Sequence, residues 1–153
     1  MTTSAITGAT GELGRRVAQR LGDRGLSQRL VVRDPSRAPK LPGADIAISP
    51  GYHDRAAMTA AFTGADTVFL VSGRESATRV EEHLSAIDAA VDAGVRRIVY
   101  TSFLGAAPDC TFTLSSSWPG WNLTLAMPLI SSIERHPVDS VRNGRVSIRP
   151  DRR

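Results

Sequence analysis

Between Ser4 and Ser102 the chain alternates short, unbroken apolar runs with longer segments in which apolar residues return every three or four positions. Runs such as Val68-Phe69-Leu70-Val71 and Ile98-Val99-Tyr100 are rich in β-branched and aromatic residues and do not alternate with polar ones. Strands covered on both faces read this way, as in a parallel sheet. The pattern predicts strands over 4–7, 29–33, 45–49, 67–72 and 97–101. Between them, Leu13, Val17 and Leu21 share one helical face, closed by Gly22 and Gly25, and Asp54 is placed to cap a helix over 55–62 that Gly64 ends. Thr78 and Glu81 have the spacing of a capping box ahead of Val80, Leu84, Ile87 and Val91, with Gly94 after the last turn. Strand and helix in regular succession predict an α/β fold, a doubly wound parallel sheet in three layers.

After Leu114 the pattern changes. Ser115-Ser116-Ser117-Trp118-Pro119-Gly120 reads as a break, residues 122–127 suit one more strand ended by Pro128, and 146–149 is a second strand-like fragment. The chain divides into a domain over 1–114 and an atypical tail over 115–153, part of which is expected to be poorly ordered.

Composition narrows the class. A chain of 153 residues, 41% hydrophobic and 22% charged, suits one domain with its own core. Cys110 is the single cysteine and has no neighbouring His or basic cluster to activate it, and His53, His83 and His136 lack ligand spacing, so neither a disulfide nor a metal is expected. No window reaches the ~18 apolar residues of a membrane span, and the first residues show no signal pattern. A cytoplasmic protein without a membrane partner is therefore expected. The net charge of +4 is uneven: residues 1–114 contribute +1 and residues 115–153 contribute +3. No basic stripe interleaved with aromatics crosses the first segment, so no nucleic-acid partner is expected.

The candidate chemistry lies where the first strand runs into Thr7-Gly8-Ala9-Thr10-Gly11-Glu12-Leu13-Gly14. In a strand–turn–helix context, Gly8 permits the tight turn, Gly11 lets the backbone approach a diphosphate, and Gly14 allows helix and strand to meet closely. An anion would then sit on the amides and positive dipole end of the helix. The competing reading is a glycine turn that only packs. Strand, spacing and helix together argue for a dinucleotide.

Nineteen residues past Gly14, where a carboxylate would meet a ribose 2′-hydroxyl in an NAD-binding domain, Arg33 comes first, followed by Asp34 and Arg37. A guanidinium there pairs with a 2′-phosphate, which favours NADP(H). Asp34 keeps NAD(H) possible, and ordinary solvated arginines are the bland alternative. Ser72 and Ser102 follow the fourth and fifth strands, where open α/β sheets bind ligands, and stand evenly between cofactor contacts and turn-forming hydroxyls.

Together with the glycine loop, Val32-Arg33-Asp34-Pro35, Gly51-Tyr52-His53-Asp54, Gly64-Ala65-Asp66-Thr67-Val68 and Tyr100-Thr101-Ser102-Phe103-Leu104-Gly105 resemble the NmrA-like, atypical branch of the short-chain dehydrogenase/reductase superfamily, and most of all its quinone or azo reductase-like members. The resemblance covers about residues 3–114. It implies an NADP(H)-binding Rossmann domain with Gly8, Thr10, Gly11, Glu12, Leu13 and Arg33 at matching cofactor positions. Two departures stand out. The tyrosine with a lysine four residues on that serves alcohol–ketone chemistry is absent: Ala56 follows Tyr52 at that spacing, Leu104 follows Tyr100, and Lys40 is the only lysine. NmrA-like members commonly lack the pair as well. Members also continue with a charged helix, a sixth strand and a substrate-facing lobe. Here residues 120–125 vaguely resemble the sixth strand, the preceding helix is not recognisable, and the C-terminal substrate lobe is expected to be missing.

These readings lead to an NADPH-dependent reductase of quinone-like or azo acceptors, with no catalytic residue assigned. The alternatives are a non-catalytic NADP(H)-binding redox sensor acting on a regulatory protein partner, and an incomplete, inactive cofactor domain. A homo-oligomer is compatible with apolar surface, including Trp118 and Trp121, left at the shortened end.

Overall fold

The computed structural model describes residues 3–73, 76–101 and 145–147. In chain order the elements are β1 (Ser4–Thr7), α1 (Glu12–Gly22), β2 (Gln28–Val32), a 3-10 turn (Pro35–Arg37), β3 (Ala44–Ile48), α2 (Arg55–Phe62), β4 (Thr67–Leu70), α3 (Arg79–Asp92), β5 (Arg97–Tyr100) and β6 (Arg145–Ser147). The strands form one sheet in the order β3-β2-β1-β4-β5-β6. The first five run parallel, with Ile6 opposite Leu30 on one side and Phe69 on the other. β6 lies antiparallel to β5, pairing Val146 with Ile98. Strand order reverses between β1 and β4, so a crevice opens at their C-terminal ends, where such sheets bind ligands.

Two apolar clusters show the three layers. On one face, Ala5, Val31, Val68, Leu70 and Ile98 of the sheet meet Met58, Ala61 and Phe62 of α2 and Ala86, Ile87, Ala89 and Ala90 of α3. On the other, Ile6, Leu30 and Val32 meet Ala18 of α1, with Val17 and Leu21 packed alongside. Small residues on α3 let it lie close to α2. Outside the core, Arg55 bridges the two helices through Asp88 and Asp92. Arg29 donates to the carbonyls of Ala61 and Thr63, satisfying acceptors that the end of α2 would otherwise leave open.

Several expectations need correction. Asp54 does cap α2, accepting the Ala57 N–H at 2.9 Å, but the capping box at α3 does not form. Thr78 makes no side-chain cap, and its hydroxyl instead donates to Glu82 at 2.8 Å. The buried face of α3 is also rotated from the expected one: Arg79, His83, Ala86, Ile87, Ala89 and Ala90 turn inward while Val91 is 49% exposed. Packing against α2 selects the small residues, and the bulkier Val91 is left outside. Leu13 is likewise exposed, the buried positions of α1 being Gly14 and Ala18. Ile46 and Ile48 are exposed because β3 is the sheet edge. Of the strand-like fragment at 146–149, residues 146 and 147 lie in β6, an antiparallel addition to an otherwise parallel sheet, and 148–149 lie outside the described residues. The strand expected over 122–127, Ser102 and the order of the rest of the tail lie outside the described residues.

Phe62 is fully buried where α2 meets the sheet and α3. Phe62→Ala should destabilise the domain by about 3–5 kcal/mol. Urea unfolding of the two proteins measures this, and a loss well under 1 kcal/mol would show that the α2–α3 face is not the core.

Candidate functional site

The centre of the site is the turn from β1 into α1. Gly8 adopts a positive φ of 63°, and its carbonyl accepts the Gly11 N–H at 2.9 Å. A Cβ at Gly14 would stand 2.2 Å from the Gly8 carbonyl oxygen, so only glycine lets the helix seat this closely on the turn. Gly11 is the N-cap of α1 and supplies no side-chain oxygen. The first-turn amides of the helix therefore receive no capping side chain and present a positive end to an anion.

This turn forms the middle of a cleft of about 560 Å³, lined there by Gly8, Thr10 and Gly11. At one end stand Arg33, Ser49 and His53; at the other stand Val71, Ser72, Gly73, Ser76 and Glu82. Among the expected site residues, Glu12, Leu13 and Gly14 are in the first turn of α1 beside the cleft, and Glu12 pairs with Arg16. Arg37 closes the 3-10 turn outside the cleft wall.

Asp34 has a structural task. Its Oδ1 accepts both the Ser36 N–H at 2.9 Å and the Ser36 hydroxyl at 2.6 Å, capping the 3-10 turn. The Ser36 hydroxyl and amide, helped by nearby Arg37, hold its carboxyl below the usual carboxylate range. The carboxylate that could have met a ribose 2′-hydroxyl is thus engaged in the turn that carries Arg33 and Arg37.

The loop after β4 is held by side chains from β1, from α3 and from the segments before α2 and after β5. Val71 N–H donates to Thr7 Oγ1 at 2.9 Å, and Tyr52 Oη donates to the Val71 carbonyl at 2.5 Å. Thr7 Oγ1 lies 2.7 Å from Tyr52 Oη and 3.2 Å from the Phe69 carbonyl, which accepts from it. Ser72 N–H donates to Thr101 Oγ1 at 2.7 Å, and Arg79 donates to Ser72 Oγ. Gly73 N–H donates to His83 Nε2 at 2.9 Å. Because Nε2 accepts, the neutral ring carries its hydrogen on Nδ1, which lies 3.1 Å from Tyr100 Oη. The His83 ring meets Tyr52 and Tyr100 edge-on, each centroid 5.6 Å away.

Burial dominates the protonation states here. It pushes the Tyr52 hydroxyl up to about 12, despite the bond with Thr7. It also raises Tyr100 above its ordinary value, against the opposing effects of Ser72 and Arg79. Burial, and then the Arg79 charge, lowers His83 to about 4. Tyr52 is therefore a neutral phenol whose hydrogen is committed to a backbone carbonyl, unsuited to give a proton to a substrate. Sequence reasoning missed Arg79 and His83: His83 reads as a histidine without ligand spacing, and Arg79 belongs to no motif. The signal was their four-residue spacing in register with Ile87 and Ala90.

Fold and cleft define a dinucleotide-binding domain of the Rossmann type. Comparison with known proteins gives the same answer. Residues 8–125 match the NAD(P)H-binding family model. Quinone oxidoreductase 2 of Escherichia coli is 40% identical over 105 residues, which are 67% of this chain and 37% of that protein. The NAD(P)H azoreductase of Xenophilus azovorans is 30% identical over 118 residues, 76% of this chain and 41% of that one. A crystal structure of the NADPH-dependent E. coli quinone oxidoreductase complexed with NADPH superposes with a TM-score of 0.71 at 32% identity, covering 84% of this chain and 45% of that one. The chain belongs to the NAD(P)H-binding family, in its NmrA-like atypical short-chain dehydrogenase/reductase branch, and spans less than half the length of these relatives. Among the described residues no helix is long and apolar enough to cross a membrane.

His83 ties stability to pH. The folded chain holds it near 4 and the unfolded chain near its ordinary 6.5, so its contribution is full above 6.5 and is lost as pH falls towards 4. The charged and titratable groups around it are Arg79 and Glu82 on its own helix, Tyr52 from the loop before α2, and Tyr100 from β5. Urea unfolding should show stability declining across this window, and His83→Gln should flatten most of the decline. An unchanged slope in the variant would refute the assignment.

Proposed function

We propose that this chain is the NADP(H)-binding part of a reductase that delivers hydride to quinone-like or azo acceptors. The observation that carries the reading is the sequence of groups along one cleft. Arg33 stands at one end, the uncapped start of α1 in the middle, and the Val71–Gly73 wall at the other. These residues fit the dinucleotide: Arg33 for the 2′-phosphate, the Gly8–Gly11 turn for the diphosphate, and the β4 loop for the nicotinamide end. Glu12, Leu13, Gly14, Arg37, Ser72 and Ser102 complete the proposed cofactor set. The engagement of Asp34 with Ser36 supports NADP(H) over NAD(H).

When bound, the reduced nicotinamide supplies hydride. The chain's residues orient it and exclude water on the β4 side. A quinone that accepts hydride becomes a delocalised phenolate that water can protonate, so a dedicated acid such as the missing tyrosine is not required. The commitment of the Tyr52 hydrogen to Val71 also suits a second reading, a non-catalytic NADP(H) sensor.

Calorimetry with NADPH and NADH, followed by NADPH oxidation with quinones and azo dyes, separates the readings. Turnover supports the reductase, binding without turnover the sensor, and absence of binding neither. Arg33→Ala should weaken NADPH by about 10- to 100-fold, from the loss of charge-assisted bonds to phosphate, and should leave NADH nearly unchanged. Equal losses for both coenzymes would defeat the phosphate assignment.

A further inference from the structure

We infer that Arg79 and His83 are positioning residues that hold the β4 loop from behind and thereby set how tightly the nicotinamide half of the coenzyme is gripped. The inference rests on the NADP(H) reading above and assigns two side chains that do not line the cleft. Every backbone N–H from Val71 to Gly73 is taken by a side chain of the chain itself, Thr7, Thr101 and His83 respectively. The Val71 carbonyl accepts from Tyr52. The Ser72 hydroxyl oxygen is held by Arg79.

The seating is close. A Cβ at Gly73 would lie 3.3 Å from His83 Nε2 and 3.9 Å from the Tyr52 ring, so this glycine rests directly on the aromatic cluster. Arg79 and His83 are one turn apart on α3, and they hold consecutive loop residues. The position of the loop is therefore tied to that of the helix. Along the cleft, Arg33 and the Gly8–Gly11 turn meet the adenosine and diphosphate, and the Ser72–Gly73 wall is left for the nicotinamide and its ribose. A defect behind the loop should then be felt by one half of the coenzyme and not by the other.

The test compares NADPH with 2′,5′-ADP, its adenosine half, by calorimetry on the full chain. His83→Phe keeps ring and burial but removes the acceptor for Gly73 N–H, and should weaken NADPH by about tenfold while leaving 2′,5′-ADP unchanged. His83→Gln places an amide oxygen where Nε2 accepts, and should restore NADPH affinity. Should the phenylalanine variant fail to fold by circular dichroism, Tyr100→Phe removes the partner of Nδ1 together with the hydroxyl's contacts to Ser72 and Arg79, all on the back of the loop, and should give a smaller loss in the same direction. Parallel losses for both ligands, or equal losses for the Phe and Gln variants, would overturn the positioning role while leaving the coenzyme reading intact. Wild-type chain that binds 2′,5′-ADP and NADPH equally well would also overturn it, and wild-type chain that binds neither removes both.

Discussion

The structure depends on one close approach, the first turn of α1 resting on the Gly8 carbonyl. No side chain at Gly14 could share that space, since even a Cβ would lie at 2.2 Å. Because the contact is backbone on backbone, it places the start of the helix at the end of β1 with little freedom. The helix dipole and its uncapped amides are thereby aimed into the crevice created by the reversal of strand order. The cleft's other features are arranged around this fixed point.

A second constraint acts at the opposite wall. Parallel strands covered on both faces leave polar backbone groups at their ends that water cannot easily reach. Here those groups are met by side chains distant in sequence: Thr7 serves Val71 across 64 residues and Thr101 serves Ser72 across 29. The cost of an unsatisfied buried amide makes these partners structural necessities. The same partners fix the wall against which a ligand would lie, so stability and binding geometry share one set of bonds. Neutral His83 and neutral Tyr52 are consistent with this, because burial disfavours a charge on either ring.

The family relationship and the geometry agree on cofactor binding. The relatives are more than twice as long as the aligned part. Within the shared region, Tyr52 lines the cleft with its hydroxyl hydrogen on the Val71 carbonyl, while His83 lies behind the β4 loop, outside the cleft lining.

The sequence by itself determined the α/β alternation, the parallel sheet core, the glycine turn and the nearness of Arg33 to its open end. Each of these is written in local periodicity or turn chemistry, which a few neighbouring residues suffice to impose. Only the tertiary structure decided that Asp34 would cap its own turn, that α3 would bury Arg79 and His83 in place of Val91, and that β6 would add antiparallel to β5. It also gave Tyr52 a carbonyl partner 19 residues away. Those outcomes depend on which buried donors and acceptors meet once the strands are ordered, and no pattern confined to one segment carries that information.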